Sequence, residues 1–275
     1  MNDSVRLTAV QGIAILTLCR FAAFLTDSAA YTAAYAYGTV LAVLSQFLLL
    51  LLFSRLRLPR ISCVLRAAAS VIWAGALCLR LHRLLTVTHA PAPLFTLVLL
   101  LITVCLSVRR PFAATARAAT VILAASAAAL ILLPISGIGT AEPVYLHMHD
   151  SLPGGFLHAW LISGDFLILS PVLRRAESPA AKRKIAVGFG IGSGLIIPSV
   201  ILLGTMQNGR LRGFGGSPFF MLLARTPLSD AVRTDGFWLM LAVSLTVLSA
   251  AAMLKFGTAD LLHGTQQTPI TPDTV

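Results

Sequence analysis

Residues 155–173 read GFLHAWLISGDFLILSPVL, nineteen positions with a single charged side chain, Asp165. A hydrocarbon core of about 30 Å is crossed by about 20 apolar residues in a helix. The run is long enough to cross a membrane, and Asp165 falls near its middle. A carboxylate at that depth costs about 3 kcal/mol even on the mildest insertion scales, so it must face a cavity or a partner. Ser163 and Gly164 precede it, and a glycine there weakens the helix. Helices broken at mid-membrane are where transporters turn backbone groups toward substrates and ions. Two readings of Asp165 stand: an acid lining a site, or a structural acid paired with a neighbouring helix.

Seven further apolar runs flank this one, at 7–25, 28–54, 63–85, 91–108, 118–140, 185–206 and 236–254. The whole chain is 57% hydrophobic and 11% charged, with a mean hydropathy of +0.87. Soluble domains carry about a quarter charged residues. So little charge cannot cover a water-facing surface, and lipid must meet the rest. The expectation is an all-α, polytopic membrane bundle of about eight transmembrane helices over residues 1–257. A polar cytoplasmic tail follows at 258–275.

The net charge of +11 would suggest nucleic acid in a soluble protein, but here its distribution decides. Arg55, Arg57 and Arg60 fall between the second and third runs, with Arg66 at the near end of the third. Arg109, Arg110 and Arg117 fall between the fourth and fifth, and Arg174, Arg175, Lys182, Arg183 and Lys184 between the sixth and seventh. With Arg6 and Lys255, 14 of the 21 basic residues lie on one side. Arg80, Arg83, Arg210, Arg212, Arg225 and Arg233 lie on the other, and Arg20 stands inside the first run. The positive-inside rule then places both termini in the cytoplasm, and no nucleic-acid partner is expected. Arg20 either pairs with Asp165, if the first and sixth helices pack, or snorkels to the outer surface.

The remaining motifs carry less chemistry. Gly188, Gly190, Gly192 and Gly194 occupy every second position of the seventh run, with Pro198 after them. No strand precedes them, so close helix packing or a flexible helix is expected in place of a phosphate loop. His147, His149 and Asp150 sit in an outer loop and lack further ligands for a metal, which favours a solvated loop. A second outer segment, 207–235, embeds an apolar stretch at 218–224 that is too short to span and reads as an interfacial or re-entrant helix. Cys19, Cys63, Cys78 and Cys105 lack CxxC spacing and read as small buried hydrophobes. No cleavable signal peptide is expected, since the first run has no small-residue cleavage site. No nucleophile–base pair, HExxH or Walker sequence occurs, so neither an enzyme nor a cofactor is expected.

The order of these features resembles the spore germination permease family, the B subunits of nutrient germinant receptors within the amino acid–polyamine–organocation transporters. The resemblance rests on Arg109-Arg110 through Ala114 with Arg117-Ala118-Ala119 before the fifth run, and on Gly164-Asp165 in the sixth. It rests also on Ala224-Arg225 with Val232-Arg233-Thr234-Asp235 before the eighth, and on the style of residues 4–26. It implies a transporter-like bundle that senses or binds a small nutrient, such as an amino acid, during spore germination. It further implies A-type and C-type receptor subunits as partners and the spore inner membrane as location. Ser163, Gly164, Asp165 and Arg20 are the candidate substrate-binding residues. Family members have ten spans in two inverted halves, whereas eight runs here imply an incomplete second half. The first run also lacks a glycine-rich break, having only Gly12. A free-standing transporter of amino acids or other small solutes is the alternative expectation.

Overall fold

The computed structural model describes residues 6–27, 32–54, 60–87, 93–137, 143–146, 151–208 and 235–263. The expected loop at 147–150, the stretch at 218–224 with Arg225 and Arg233, and the tail from 264 lie outside the described residues. The described chain is helical throughout, apart from one isolated bridge between Leu7 and Ala176. In order, the helices are α1 Ala9–Leu25, α2 Ala33–Ser54, α3 Arg60–Val87, α4 Pro93–Arg109 and α5 Phe112–Gly137. Then come α6 Leu152–Ser163, α7 Phe166–Arg174, α8 Pro179–Ile191, α9 Ile197–Asn208 and α10 Asp235–His263.

Helix starts follow local side chains. Thr8 caps α1 through a capping box with Gln11, and Ser178 caps α8 by accepting from the Ala181 amide ahead of Pro179. Three helical stretches, Cys63–Thr86, Pro179–Met206 and Trp238–Ala259, are long and apolar enough to cross a membrane. The pair α6 and α7, bent by 53°, makes a fourth if taken as one span. The other apolar helices are shorter: Ala9–Leu25, Ala33–Leu49, Thr96–Arg109 and Phe112–Ala127. Large apolar side chains face outward, with Val121 70% and Met240 73% exposed. Water would drive such a surface to associate, whereas lipid accepts it, so these are the helices of a membrane protein.

Small residues set the packing. On α2, Ala34, Gly38 and Ala42 stand one turn apart, and on α6 so do Gly155, Ala159 and Ser163. A Cβ on Gly38 would strike the backbone of Gly155, and one on Gly155 would strike the Ala34 carbonyl. Such small-residue stripes let helix backbones touch where no hydrophobic drive operates between them. The glycine run of α8 and the turn after it divides in two, because positions two apart point to opposite sides of a helix. Gly188 and Gly192 abut Ile13 and Thr17 of α1, while Gly190 and Gly194 face Phe47 and Val43 of α2. Residues Gly192–Ile196 form a π turn. Pro198, with no N–H to give, follows that turn.

α10 is the central helix, with 67% of its spanning window buried against its neighbours. It continues to His263, past the expected boundary at 257. Ala259 is buried there, and the Thr258 hydroxyl donates to the Leu254 carbonyl. Likewise α3 begins at Arg60 and α8 at Pro179, so Arg66, Lys182, Arg183 and Lys184 belong to helices rather than loops. Of the cysteines, Cys19 and Cys78 are buried as expected, Cys63 is half-buried and Cys105 is exposed on the helix surface.

Candidate functional site

α6 ends at Gly164, whose φ of +61° is left-handed backbone that a side chain would strain. A Cβ there would also run into the Trp73 indole. The break frees carbonyls at the end of α6 that membrane cannot hydrogen-bond. Side chains of α3 cap them: Trp73 Nε1 donates to the Leu161 carbonyl at 2.7 Å and Arg80 Nη1 to the Ile162 carbonyl at 2.9 Å. Phe166, just past the break, stacks on Trp160 at 4.4 Å and meets Trp73 edge-on at 5.7 Å. Arg80, read from the sequence as an outer-side charge near the end of the third run, is therefore part of the hinge.

Asp165 sits at the start of α7, where the helix dipole favours a negative charge. Arg20 grips its carboxylate with two prongs, Nε to Oδ2 at 2.6 Å and Nη2 to Oδ1 at 3.0 Å. The Ser163 hydroxyl donates to Oδ1 at 2.7 Å and accepts from Arg20 Nη2 at 3.1 Å. Gln46 of α2 adds Nε2 to Oδ1 at 2.9 Å. All four are buried: Asp165 is 0%, Ser163 1%, Gln46 2% and Arg20 3% exposed. The guanidinium also lies 6.0 Å from the centre of the Phe189 ring. Arg20 thus points inward to the pair and does not snorkel.

The structure brings Arg20, Ser163 and Asp165 together at the left-handed Gly164, and adds Gln46. That amide continues the α2 stripe of Ala34, Gly38 and Ala42 by one more turn, placing it where the α2–α6 contact reaches the break. A lone amide inside the leucine-rich run 41–53 was the signal for it. Gln46 Oε1 is buried with no hydrogen-bond partner. Turning the amide over would aim that oxygen at a carboxylate, so the orientation is fixed by charge. Among the described residues, the sixth run is the one broken by a sharp bend, and α1 is continuous from Ala9 to Leu25.

Two other polar groups were not read from the sequence. Asp27, just past α1, accepts from Tyr35 Oη at 2.9 Å and lies 2.8 Å from His158 Nε2 of α6. At the opposite end of α1, Lys255 Nζ bonds the Arg110 carbonyl and Thr115 Oγ1, and Arg175 lies over the Phe112 and Phe256 rings. Among the described residues, no group of three or more His, Cys, Asp or Glu is placed to hold a metal ion.

Chemically, the Arg20–Asp165 group is a neutral ion pair in a low-dielectric interior, with both carboxylate oxygens engaged. It can lock α1, α2 and the α6–α7 hinge together, or exchange its partners for a molecule carrying the same two charges. Protein-family models, curated proteins and solved structures yield no match to this chain.

Proposed function

We propose that the chain is an eight-span, transporter-like membrane subunit of a spore nutrient germinant receptor, with both termini cytoplasmic. In this reading it binds a small zwitterion such as an amino acid at the broken sixth span. The observation that carries the reading is the buried Arg20–Asp165 pair at the α6–α7 break. An amino acid brings a carboxylate for the Arg20 guanidinium and an ammonium for Asp165, so it can replace each partner of the pair with its own charge. The Gln46 Oε1 acceptor beside them suits the third direction of an ammonium group. The eight-span count draws on the eight apolar runs, each with a helix, and on the 14 basic residues of one side. The receptor context, the A-type and C-type partners and the spore inner membrane draw on the family resemblance.

A free-standing secondary transporter is the second reading. It draws on the π turn at Gly192–Ile196, a second deformable point in a helix packed on α1 and α2.

The test is thermal stabilisation of the full chain in lipid nanodiscs by a panel of amino acids. Ligand that binds only the folded state at 100 times its Kd stabilises it by about 2.7 kcal/mol. At least one amino acid is expected to raise Tm, while its methyl ester, its deaminated acid and the Asp165→Asn variant give no rise. Co-purification with A-type and C-type subunits then favours the receptor, and solute accumulation in vesicles the transporter. If no amino acid moves Tm, the zwitterion reading is wrong.

A further inference from the structure

The half-helix α6 is held at two points. Its break is fastened by the pair at Asp165, and its middle by His158. The imidazole Nε2 lies 2.8 Å from Asp27 Oδ2, and Tyr35 Oη donates to the same oxygen. The Tyr35 ring meets the imidazole edge-on at 5.1 Å. Asp27 is 5% exposed at its side chain, against 41% for His158, so the imidazole is the open member of the pair and the carboxylate the shielded one. Arg80 of α3 lies within electrostatic reach of both Asp27 and Tyr35, and Arg83 of Arg80.

We propose that His158 and Asp27 form a proton-binding site that clamps α6 to the α1–α2 corner when His158 is charged and loosens it when His158 is neutral. An ionised carboxylate only accepts hydrogen bonds, so a neutral His158 must hold its proton on Nε2 to bond Asp27. The second proton goes to Nδ1. It leaves the Nε2 bond in place and makes it charge-assisted, roughly twice as strong. Acid, which supplies that second proton, tightens the clamp, and base relaxes it.

The geometry transmits the change. Two residues beyond His158, Trp160 stacks on Phe166 across the Gly164 break, so a swing of α6 about Gly164 shears that stack. The proton site requires only this bent helix pair, and it holds whether or not a nutrient binds at Asp165.

The experiment uses the full chain in nanodiscs with Trp238→Phe, which leaves Trp73 and Trp160 as emitters, both against Phe166. Emission is recorded from about pH 5 to 8, the window of imidazole charging. The expected result is a single sigmoidal shift in the emission maximum. His158→Gln should abolish it and hold the neutral-pH emission. His158→Lys, a permanent cation, should hold the acid-side emission at every pH. Asp27→Asn should flatten the shift by removing the anion that the charged ring grips, and His82→Gln should leave it intact. A flat parent, a shift that survives His158→Gln, or one lost in His82→Gln overturns the proposal. If His158→Gln fails to fold, the His158→Lys emission decides alone: a pH-dependent trace there is equally fatal.

Discussion

Replacing both members of the Arg20–Asp165 pair should harm the protein far less than replacing either one. Asp165→Leu leaves the guanidinium, 3% exposed, without a counter-charge, and Arg20→Met leaves the carboxylate, 0% exposed, with only Ser163 and Gln46. Removing one partner of a buried pair costs about 3–5 kcal/mol. The double variant Arg20→Met/Asp165→Leu buries no charge at all. What remains is two donors deprived of their acceptor, the Ser163 hydroxyl and the Gln46 amide, at about 1 kcal/mol each for a lost hydrogen bond. The double variant should therefore lose about 2 kcal/mol, where independent effects would lose about 6–10 kcal/mol. Reversible unfolding in mixed micelles, titrated with SDS and followed by tryptophan emission, measures all four corners of the cycle. Losses that simply add would refute the view that these two residues are one structural unit.

Three further outcomes follow from the packing. Gly164→Ala should destabilise by more than the roughly 1–2 kcal/mol of left-handed backbone strain, because its Cβ also meets Trp73; a smaller loss in the same unfolding assay would mean the hinge adapts. The glycines should sort by neighbour: Gly155→Ala collides with the α2 backbone and should cut folded yield, judged by gel filtration. Gly75→Ala meets nothing within 4 Å and should stabilise by about 0.5–1 kcal/mol, with equal effects contradicting the packing. Lys255→Met should cost about 1–3 kcal/mol by leaving the Arg110 carbonyl and Thr115 without their buried donor, measured by thermal unfolding in detergent.

Charge and apolar length were strong enough to be read without neighbours. Asp165 and Arg20 stood out because any ion inside an apolar run demands an explanation, and Gly164 because a glycine before an acid in such a run interrupts the helix. Gln46 carried a weaker version of the same signal, and its place on the α2 stripe becomes visible only once α6 supplies the opposing stripe. Trp73 and Arg80 could not be anticipated, since what they cap are backbone carbonyls, which no sequence displays. Arg80 lies near a helix end, and a charge there satisfies a topology rule whether it faces water or a carbonyl. Asp27 and His158 are 131 positions apart, and nothing local to either indicates the other. Helix limits were blurred for a related reason: long basic side chains at helix ends let α3 and α8 begin several residues before their apolar runs.

The helix around which this bundle is organised is also made after every helix it touches. α1, α3, α4, α5 and α7 each pack on α10, which starts only at Asp235. At about 5–20 residues per second, the earliest of them waits on the order of tens of seconds for that partner. During this interval the α1 face of Leu18 and Cys19, which in the finished protein meets Ser249 of α10, has only lipid or an insertion factor to cover it. Arg20 and Asp165 lie on helices synthesised before α10, so their pairing is available to hold α1, α2 and the broken span together until the centre arrives. A defect at the pair would then surface first during biogenesis, as chain handed to membrane quality control.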